Sequence, residues 1–387
     1  MTVDIKHVLK HHAYLNIPLN YEEAFSVGAL ALQGCEGDQL ALIQSVSALC
    51  ALHTKATYEW KKRGTFGPFH LPLNAAEQIA GVCGAIFQLD IGKSEFGFLH
   101  PSEVAYVIDS CGMGGDLAQT PNVSTISCLI AAAAGIPICK HGSPANADQG
   151  RHGSSDFMEL CGINPYPVTK ESLERSITEA HFGYVEALDV RFKRIHTQTH
   201  ELAQLPHMND IIGPITHPMD PRLMTRKIVG VNHLIHPRLI VEAYLDLNRR
   251  GITFMEHALA VRGFALPGNI FGMDEVSICP GGTMVAELKD GLISERWLFA
   301  SDFGLREVDV SAISPPQGMS KGEFSMAILK GEIGGAPLDM ILASAALIFY
   351  LDGRSDDLRE CTEMARKSHA EGLDYAKVLE LQKRFPR

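Results

Sequence analysis

The feature that most constrains the fold of this chain is a glycine-rich segment at residues 109–116, Asp-Ser-Cys-Gly-Met-Gly-Gly-Asp. An apolar run over 104–108 precedes it, and a run of small apolar residues over 127–134 follows. This order predicts a strand, a glycine-rich turn and a helix. Such a turn lets backbone N–H groups approach phosphate oxygens at the positive end of a helix. Asp116, Ser124 and Thr125 lie close by in sequence and can hold Mg²⁺ or further phosphate oxygens. The segment therefore indicates a site for a phosphorylated ligand.

The glycine spacing differs from two common phosphate-binding sequences. The segment lacks the third spaced glycine of the Rossmann G-x-G-x-x-G fingerprint, and it has no Gly-Lys-Ser/Thr of a P-loop. A tight turn that needs glycine only for its backbone conformation is the alternative interpretation.

Composition limits the class of protein. The 387 residues predict two domains or one large domain, and a hydrophobic fraction of 46% is enough for a packed core. A formal net charge of -11 argues against broad nucleic-acid binding. Nine cysteines without a CxxC pair indicate free thiols in a reducing compartment. The sequence shows neither a signal-peptide pattern nor an apolar stretch of membrane-spanning length, so we expect a soluble cytoplasmic protein.

Residues 1–98 are predicted to be helical. Asn20 is expected to cap a helix whose first turn carries Glu22 and Glu23. Apolar spacing predicts further helices over about 37–53 and 75–87. The basic and aromatic residues 55–71 between them predict an inserted loop, either a surface excursion packed by its own aromatic rings or a lid over a substrate.

From about residue 99, predicted strands alternate with predicted helices, which favours a mostly parallel sheet. Ligands of such sheets bind beyond the carboxyl ends of the strands. The glycine-rich segment, Lys140 and the loop after Val261 are all expected at such ends. The predicted strands cover 136–139, 183–188, 227–231 and 254–261, and the predicted helices cover 237–249, 322–330 and 337–351.

Four other short sequences could add chemistry. Lys140-His141-Gly142 offers phosphate a cation and a close backbone approach, and Gly153-Ser154-Ser155-Asp156 predicts a helix start suited to capping or to phosphate. Residues 213–218, Gly-Pro-Ile-Thr-His-Pro, predict a rigid turn. Asp274 and Glu275 are hard oxygen ligands suited to Mg²⁺ bound to a diphosphate, although most Asp-Glu pairs are solvated surface features.

The order and spacing of these segments resemble the anthranilate phosphoribosyltransferase family, part of the larger group that includes the pyrimidine nucleoside phosphorylases. The resemblance runs from about Leu19 to Leu351. Besides the sequences above, it includes residues 19–24, 76–81, 112–116, 122–125, 272–275, 287–291 and 302–305.

The resemblance implies an α/β protein of the class III glycosyltransferase or phosphoribosyltransferase type. A helical domain over 1–98, completed by helices from about 195–225, would join an α/β domain over 99–387 with a mostly parallel central sheet. The α/β domain would bind phosphoribosyl pyrophosphate (PRPP) with Mg²⁺, and the protein would be a homodimer. The reaction would transfer ribose 5-phosphate from pyrophosphate to a nitrogen nucleophile.

The resemblance also implies site residues. Lys140, Asp274 and Glu275 would be catalytic, and Ser124, Asp274 and Glu275 would hold Mg²⁺. Contacts to PRPP are implied for Gly112, Gly114, Gly115, Asp116, Asn122, Ser124, Thr125, Lys140 and Ser154. The acceptor side would include His141, Ser143, His200 and Gly213.

Departures from the family pattern cluster on the acceptor side. Ser143-Pro144 replaces Asn-Arg after Lys-His-Gly, and His200 stands near the position of an arginine that binds the anthranilate carboxylate. An arginine fork binds a carboxylate bidentately, whereas a mostly neutral histidine does not. Elsewhere, Met113 and Arg262 replace a threonine and a histidine of the pattern. We therefore expect an acceptor related to anthranilate, a small aromatic or heterocyclic compound, with anthranilate itself less favoured.

Other interpretations stay open. His196 and His200 are four residues apart, with His207 and His217 nearby, and could hold a transition metal on a helix, although they fit structural or acceptor-site histidines better. A nucleoside phosphorylase would use inorganic phosphate and would not need Asp274 and Glu275 for a diphosphate. A non-catalytic relative that binds nucleotide or nucleic acid is supported only by the basic residues near Trp60.

Overall fold

The computed structural model describes residues 5–13, 18–62, 74–114, 118–144, 153–167, 169–195, 209–268 and 272–387. The chain divides into two compact units. The first contains residues 1–98, 187–218 and 234–254, and the second contains residues 99–186, 219–233 and 255–387. The domain boundaries and the PRPP-binding role given above stay predictions.

The first unit is helical. The predicted cap is confirmed: Asn20 Oδ1 accepts the Glu23 N–H at 3.0 Å, and Glu23 Oε2 accepts the Asn20 N–H at 2.9 Å. This reciprocal pair satisfies two N–H groups that the first helical turn leaves without backbone partners. The α-helices of the unit are α1 (Ile5–Ala13), α2 (Tyr21–Cys35), α3 (Gln39–Lys62), α4 (Ala75–Ala85), α8 (Asn209–Ile215) and α9 (Pro237–Arg249).

The predicted loop over 55–71 is partly wrong. Residues 55–62 continue α3, because the chain has no glycine or proline until Gly64 to end the helix. Residues 63–73 lie outside the described residues. The predicted helix over 75–87 also differs, since α4 widens into a π-helical segment, Ile86–Asp90, and a short 3₁₀ turn.

Asp90, at the end of that π-helical segment, anchors a distant part of the first unit. Its buried carboxylate accepts the backbone N–H groups of Arg194 and Ile195 at 2.9 and 3.1 Å, and the Arg194 guanidinium at 3.1 Å. Charge-assisted bonds of this kind are stronger than neutral ones. These bonds hold residues 194–195 against the π-helical segment that follows α4.

The second unit is built on a mixed sheet. Among the described residues its order is β3-β2-β1-β4-β5-β7-β8, with β6 paired to β5. The first five strands are parallel, and β6, β7 and β8 add antiparallel pairs, so the predicted α/β class with a mostly parallel sheet is confirmed. The strands are β1 (Ile108–Gly112), β2 (Ile138–Gly142), β3 (Phe182–Glu186), β4 (Arg226–Gly230), β5 (His257–Phe264), β6 (Gly272–Met273), β7 (Thr283–Lys289) and β8 (Leu292–Leu298).

Several strands begin later than their apolar runs predict. The strand predicted over 136–139 covers Ile138–Gly142, and the run over 104–108 leads into a strand that begins only at Ile108. Polar residues can occupy these buried strands because they are paired: Asp109 lies opposite Lys227 in the register of β1 and β4, and their side chains form a fully buried ion pair at 2.7 Å. A hydropathy pattern cannot reveal such a pair.

Helices cover the sheet of the second unit. α11 (Ala336–Asp352) is buried along nearly its whole length and packs against α5 (Val123–Ala133). Two helices after Leu351, α12 and α13, were not predicted, because their charged sequences carry only a narrow apolar stripe. The helices of the unit are α5 (Val123–Ala133), α6 (Ser154–Leu160), α7 (Lys170–Ala180), α10 (Lys321–Leu329), α11 (Ala336–Asp352), α12 (Leu358–Ala370) and α13 (Leu373–Arg384). Within the described parts of the chain, no helix is long and apolar enough to cross a membrane.

Glu287 on β7 forms a buried charged network. Its carboxylate contacts His257 Nε2 at 2.6 Å, Tyr350 OH at 2.7 Å and Arg296 Nη1 at 2.5 Å. Burial alone would raise the pKa of Glu287, but the bonds from His257 and Tyr350 and the charge of Arg296 outweigh it and lower the pKa from 4.5 to about 2. The ionised carboxylate is therefore more stable in the folded chain than in the unfolded one.

The Glu287 network predicts a pH-dependent stability. Because the folded pKa lies below the unfolded one, its contribution is full above about pH 4.5 and is lost as the pH falls toward 2. We expect Glu287→Gln to lower the free energy of unfolding at pH 7 by on the order of 3 kcal/mol. Urea unfolding at pH 7, 4 and 3 measures this, and the difference from wild type should shrink with acid. The exposed control Glu371→Gln should change little, and a pH-independent loss in Glu287→Gln would contradict the prediction.

Candidate active site

The glycine-rich segment begins at the carboxyl end of β1. Gly112 is the last residue of the strand, and the Met113 N–H donates to the Gly230 carbonyl at 2.9 Å. Gly114 has a φ of 74°, in the left-handed region that favours glycine. Gly115 and Asp116, both predicted to contact PRPP, lie outside the described residues. The predicted strand followed by a glycine turn is confirmed as far as Gly114.

Asp274 lies directly against this segment. Its Oδ2 accepts the Gly114 N–H at 2.6 Å. A Cβ on Gly112 would stand 2.0 Å from that oxygen, and one on Gly230 would stand 1.6 Å from the Asp274 carbonyl oxygen. The glycines that end the neighbouring strands β1 and β4 thus leave the space that Asp274 occupies. The sequence prediction included Gly112 but missed Gly230, although a glycine ending an apolar strand was a usable signal.

The side chain of Glu275 contacts the first turn of α5. Its Oε1 accepts the Ser124 N–H at 3.1 Å, where the helix end is positive. Burial raises the pKa of Glu275 to about 8, the charge of Asp274 adds to the rise, and Lys140, the Ser124 N–H and Lys321 oppose it. The structure therefore brings together the two predicted acids, the glycine turn and Ser124. Lys321, at the start of α10, is a nearby cation that the sequence did not single out.

The first turn of α5 carries the other predicted phosphate-side residues. Thr125 is buried, and its Oγ1 makes no hydrogen bond within the described residues. Asn122 Oδ1 accepts the Ser325 hydroxyl at 2.9 Å, and the Asn122 N–H donates to Ser325 Oγ at 2.8 Å. This turns the Asn122 Nδ2 toward the Gly153 carbonyl, 3.3 Å away. Sequence reasoning missed Ser325, since nothing local to α10 relates it to a residue 203 positions away.

Lys140 differs from its predicted position. It lies in the middle of β2, not at its carboxyl end, because the strand runs on to Gly142. Its side chain is buried, and its Nζ donates to the Ser110 carbonyl at 3.0 Å and the His141 carbonyl at 3.2 Å. The ammonium still acts on the acidic pair, since its charge lowers the pKa of Glu275.

His141, predicted on the acceptor side, is also buried in β2. Its backbone N–H donates to Asp109 Oδ1 at 2.9 Å, and ligand atoms of His141, Asp109 and Cys111 lie within 4.8 Å of one another. Three such groups could in principle hold a metal. The Lys227 ammonium, 2.7 Å from Asp109 Oδ2, already supplies positive charge there. Burial, followed by the charge of Asp109, raises the pKa of the Cys111 thiol to about 12, which disfavours a thiolate ligand.

Ser143 and Ser154 lie next to each other. The Ser143 N–H donates to Ser154 Oγ at 3.1 Å, and Ser154 Oγ lies 3.0 Å from the Tyr184 hydroxyl. A Cβ on Gly142 would stand 1.9 Å from Ser154 Oγ, so glycine is required there for this approach. Residues predicted for the acceptor and for PRPP therefore meet at the carboxyl end of β2.

The remaining acceptor residues belong to the first unit. Gly213 lies in α8, and its carbonyl oxygen accepts a hydrogen bond from the buried Lys193 ammonium at 3.3 Å. The ammonium also binds the Thr216 carbonyl at 3.0 Å, which stabilises the negative end of the helix. His196, His200 and His207 lie outside the described residues, so the predicted acceptor role of His200 and the alternative metal site stay predictions.

Comparisons with known proteins identify the family of the chain. A family model described as "Glycosyl transferase family, a/b domain" matches residues 105–375. Anthranilate phosphoribosyltransferase of Nitrosospira multiformis is 31% identical over 277 residues, covering 71% of this chain and 74% of the relative. The enzyme of Haloarcula marismortui is 32% identical over 278 residues, covering 71% and 77%.

The chain belongs to the anthranilate phosphoribosyltransferase family. The predicted family and the predicted enzyme class, a pentosyltransferase, are thereby confirmed.

Solved structures of the family share the fold. A Thermus thermophilus anthranilate phosphoribosyltransferase has a TM-score of 0.71 at 23% identity, with 98% of both chains covered. The Saccharomyces cerevisiae enzyme in complex with PRPP and Mg has a TM-score of 0.73 at 20% identity, with 98% of this chain and 97% of that chain covered. At these identities the likeness concerns the fold, and the predicted pair of PRPP and Mg²⁺ is found together in the yeast member of the family.

Substituting Gly112 tests the close fit of Asp274. The Cβ of Gly112→Ala would also stand 2.6 Å from Asp274 Cγ, so the acid must shift. We expect a loss of about 1–3 kcal/mol in the free energy of unfolding, which denaturant titration measures. Gly334→Ala is the control, since its Cβ would meet nothing within 4 Å, and it should be neutral or slightly stabilising. Equal effects of the two substitutions would argue against the close fit.

Proposed function

We propose that this protein is a Mg²⁺-dependent phosphoribosyltransferase that transfers ribose 5-phosphate from PRPP to a nitrogen nucleophile. The observation that carries the proposal is the placement of Asp274 and Glu275 against Gly114 and Ser124, at 2.6 and 3.1 Å. Two carboxylates held side by side at the carboxyl ends of the strands suit a metal ion bound to a diphosphate. Membership of the family supports the same reaction.

The acidic pair fits Mg²⁺. Asp274 is buried and Glu275 is half-buried beside it, and the raised pKa of Glu275 reflects burial of its carboxyl and the charge of Asp274. A divalent cation would favour the ionised form of Glu275, and carboxylates are the oxygen ligands that Mg²⁺ prefers. We propose Asp274, Glu275 and Ser124 as its ligands. When bound, Mg²⁺ would neutralise charge on the leaving pyrophosphate.

Of the residues proposed for PRPP that the structure describes, Gly112 and Gly114 lie at the end of β1, Lys140 lies within β2, and the rest lie at the starts of α5 and α6. The N–H groups of Gly114 and Ser124 already bind the two acids, so the start of α5 would act on phosphate through its positive field. The buried Thr125 hydroxyl and the oriented Asn122 amide would add side-chain contacts. Lys140 would stabilise developing negative charge through its field, as it does for Glu275. The proposed phosphate contacts are Gly112, Gly114, Gly115, Asp116, Asn122, Ser124, Thr125 and Lys140, and Ser154 would lie where PRPP meets the acceptor.

Catalysis in this proposal relies on positioning. The reaction breaks the C1–oxygen bond to pyrophosphate and forms a C1–nitrogen bond, so it needs no covalent intermediate with the protein. Holding the two reactants in line converts a bimolecular step into an effectively unimolecular one. Residues held by buried hydrogen bonds, such as Asn122 and Lys140, would supply that rigidity.

The acceptor is proposed to be a small aromatic or heterocyclic nitrogen compound other than anthranilate. Ser143 and His200 replace the asparagine and arginine expected from the family pattern, and both changes weaken carboxylate binding. We also propose a cytoplasmic homodimer, by analogy with the family.

Isothermal titration of PRPP with and without Mg²⁺ tests the donor site. We expect Mg²⁺ to tighten the binding of PRPP. In Glu275→Gln this Mg²⁺-dependent gain in affinity should fall by roughly tenfold or more, about 1.4 kcal/mol, because one charged metal ligand is removed. The exposed Glu307→Gln should bind as wild type does. Mg²⁺-independent binding of inorganic phosphate instead would favour a nucleoside phosphorylase, and salt-sensitive binding of nucleic acid without PRPP binding would favour the non-catalytic relative.

A further inference from the structure

A chain of hydroxyl groups runs inward from the proposed site to a buried carboxylate. It begins at Ser154, whose oxygen accepts the Ser143 N–H, and passes to the Tyr184 hydroxyl at 3.0 Å. From Tyr184 it continues to Ser155 Oγ at 2.8 Å and ends where the Ser155 hydroxyl donates to Glu186 Oε2. The chain links the start of α6 with the end of β3.

The inner members of this chain are closed to solvent. Glu186 is 0% exposed, and Ser155 and Tyr184 are 4% and 5% exposed. A buried charge is retained only where hydrogen bonds compensate its desolvation, so the Ser155 bond is part of what makes Glu186 tolerable. Gly142 makes room for the chain, because a Cβ there would also stand 2.5 Å from the Tyr184 hydroxyl oxygen.

The bond from Ser155 to Glu186 fixes the direction of the other protons in the chain. The Ser155 hydroxyl donates to Glu186 Oε2, and each hydroxyl has one proton to donate. Ser155 gives its proton to Glu186, so its oxygen accepts from Tyr184. Tyr184 has then used its proton, so its oxygen accepts from Ser154. The other protein oxygen near Ser154 Oγ, the Ser143 carbonyl at 3.3 Å, would likewise take the proton inward.

The consequence appears at Ser154, the outer end of the chain. A hydroxyl oxygen has two lone pairs, and the Ser143 N–H uses one of them. A group that meets the other lone pair must donate a hydrogen bond, because Ser154 has no proton left to offer. A carboxylate, which can only accept, is poorly matched to this position.

We infer that the part of the acceptor substrate at Ser143 and Ser154 is a neutral group with N–H donors, such as an amide or a heterocyclic N–H, and is not a carboxylate. The inference rests on the proposed function and names the chemistry of its acceptor. Glu186 acts through the hydroxyl chain and is therefore a positioning residue that determines specificity.

The pKa of the Tyr184 hydroxyl agrees with this direction. Burial raises that pKa well above 10, and the charges of Glu186 and Asp156 add to the rise, so Tyr184 keeps the proton that it donates to Ser155.

Two probes that differ in one group test the inference. Anthranilate and 2-aminobenzamide share the aromatic amine, but the first has a carboxylate where the second has a neutral amide with N–H donors. We expect wild-type protein saturated with PRPP and Mg²⁺ to bind 2-aminobenzamide at least about tenfold more tightly by calorimetry, since one mismatched hydrogen bond corresponds to about 1.4 kcal/mol.

Glu186→Gln should reverse or abolish this preference. A glutamine amide can donate to Ser155, which lets each hydroxyl turn so that Ser154 donates outward. Tyr184→Phe cuts the chain without creating a large cavity and should bring the two affinities to within about threefold, which is roughly 0.6 kcal/mol. Tyr166→Phe, at an exposed tyrosine, should leave the preference unchanged.

The outcomes separate the two proposals. If the Glu186→Gln and Tyr184→Phe variants keep PRPP binding with Mg²⁺ but lose the preference, the inference is supported. A merely structural defect would weaken the binding of anthranilate and of 2-aminobenzamide alike. If PRPP binds but anthranilate binds as well as or better than 2-aminobenzamide, or both variants keep the wild-type ratio, the inference is overturned alone. If PRPP does not bind to wild-type protein, the proposed function fails and the inference falls with it.

Discussion

The carboxylate of Asp109 is the constraint on which the second unit depends. One oxygen binds the Lys227 ammonium of β4 at 2.7 Å, and the other accepts the His141 N–H of β2 at 2.9 Å, so one side chain of β1 ties three adjacent strands together. The Asp109 and Lys227 side chains are fully buried, and removing one partner of such a pair leaves an uncompensated charge that costs about 3–5 kcal/mol. This bond fixes the strands in register, and the register sets where their glycine ends meet.

The acidic pair, Asp274 and Glu275, contributes both to the structure of this unit and to its proposed chemistry. Asp274 and Glu275 hold the glycine turn and the first turn of α5 by accepting N–H groups from each. The same carboxylates form the proposed Mg²⁺ site. Burial and the charge of Asp274 raise the pKa of Glu275 to about 8, so a cation bound there would favour the ionised form of Glu275.

Sequence reasoning reached the parts of the molecule that are local. The glycine turn, the Asn20 cap and the helix over 237–249 follow from neighbouring residues, and the structure has them at those places. Long-range pairs were out of reach. Ser325 orients Asn122 across 203 residues, and Glu186 reaches Ser154 through two intervening hydroxyls. The strand predicted over 136–139 stopped short of Lys140 and His141 because buried hydrogen bonds let polar residues continue the strand, which hydropathy does not reveal. The end of α3 was missed because aromatic and basic residues resemble a loop although they continue a helix readily.

The glycines that end β1, β2 and β4 separate positions that tolerate no larger side chain from positions that tolerate one. At Gly112, Gly142 and Gly230, carboxylate, hydroxyl or carbonyl oxygens pack directly against the backbone, and any side chain there would displace them. Ser143, the first residue beyond Gly142, is only half-buried, so its side chain can vary in size more readily. A substitution there can therefore change what the carboxyl end of β2 offers a ligand while the glycines, and the groups packed against them, stay as they are.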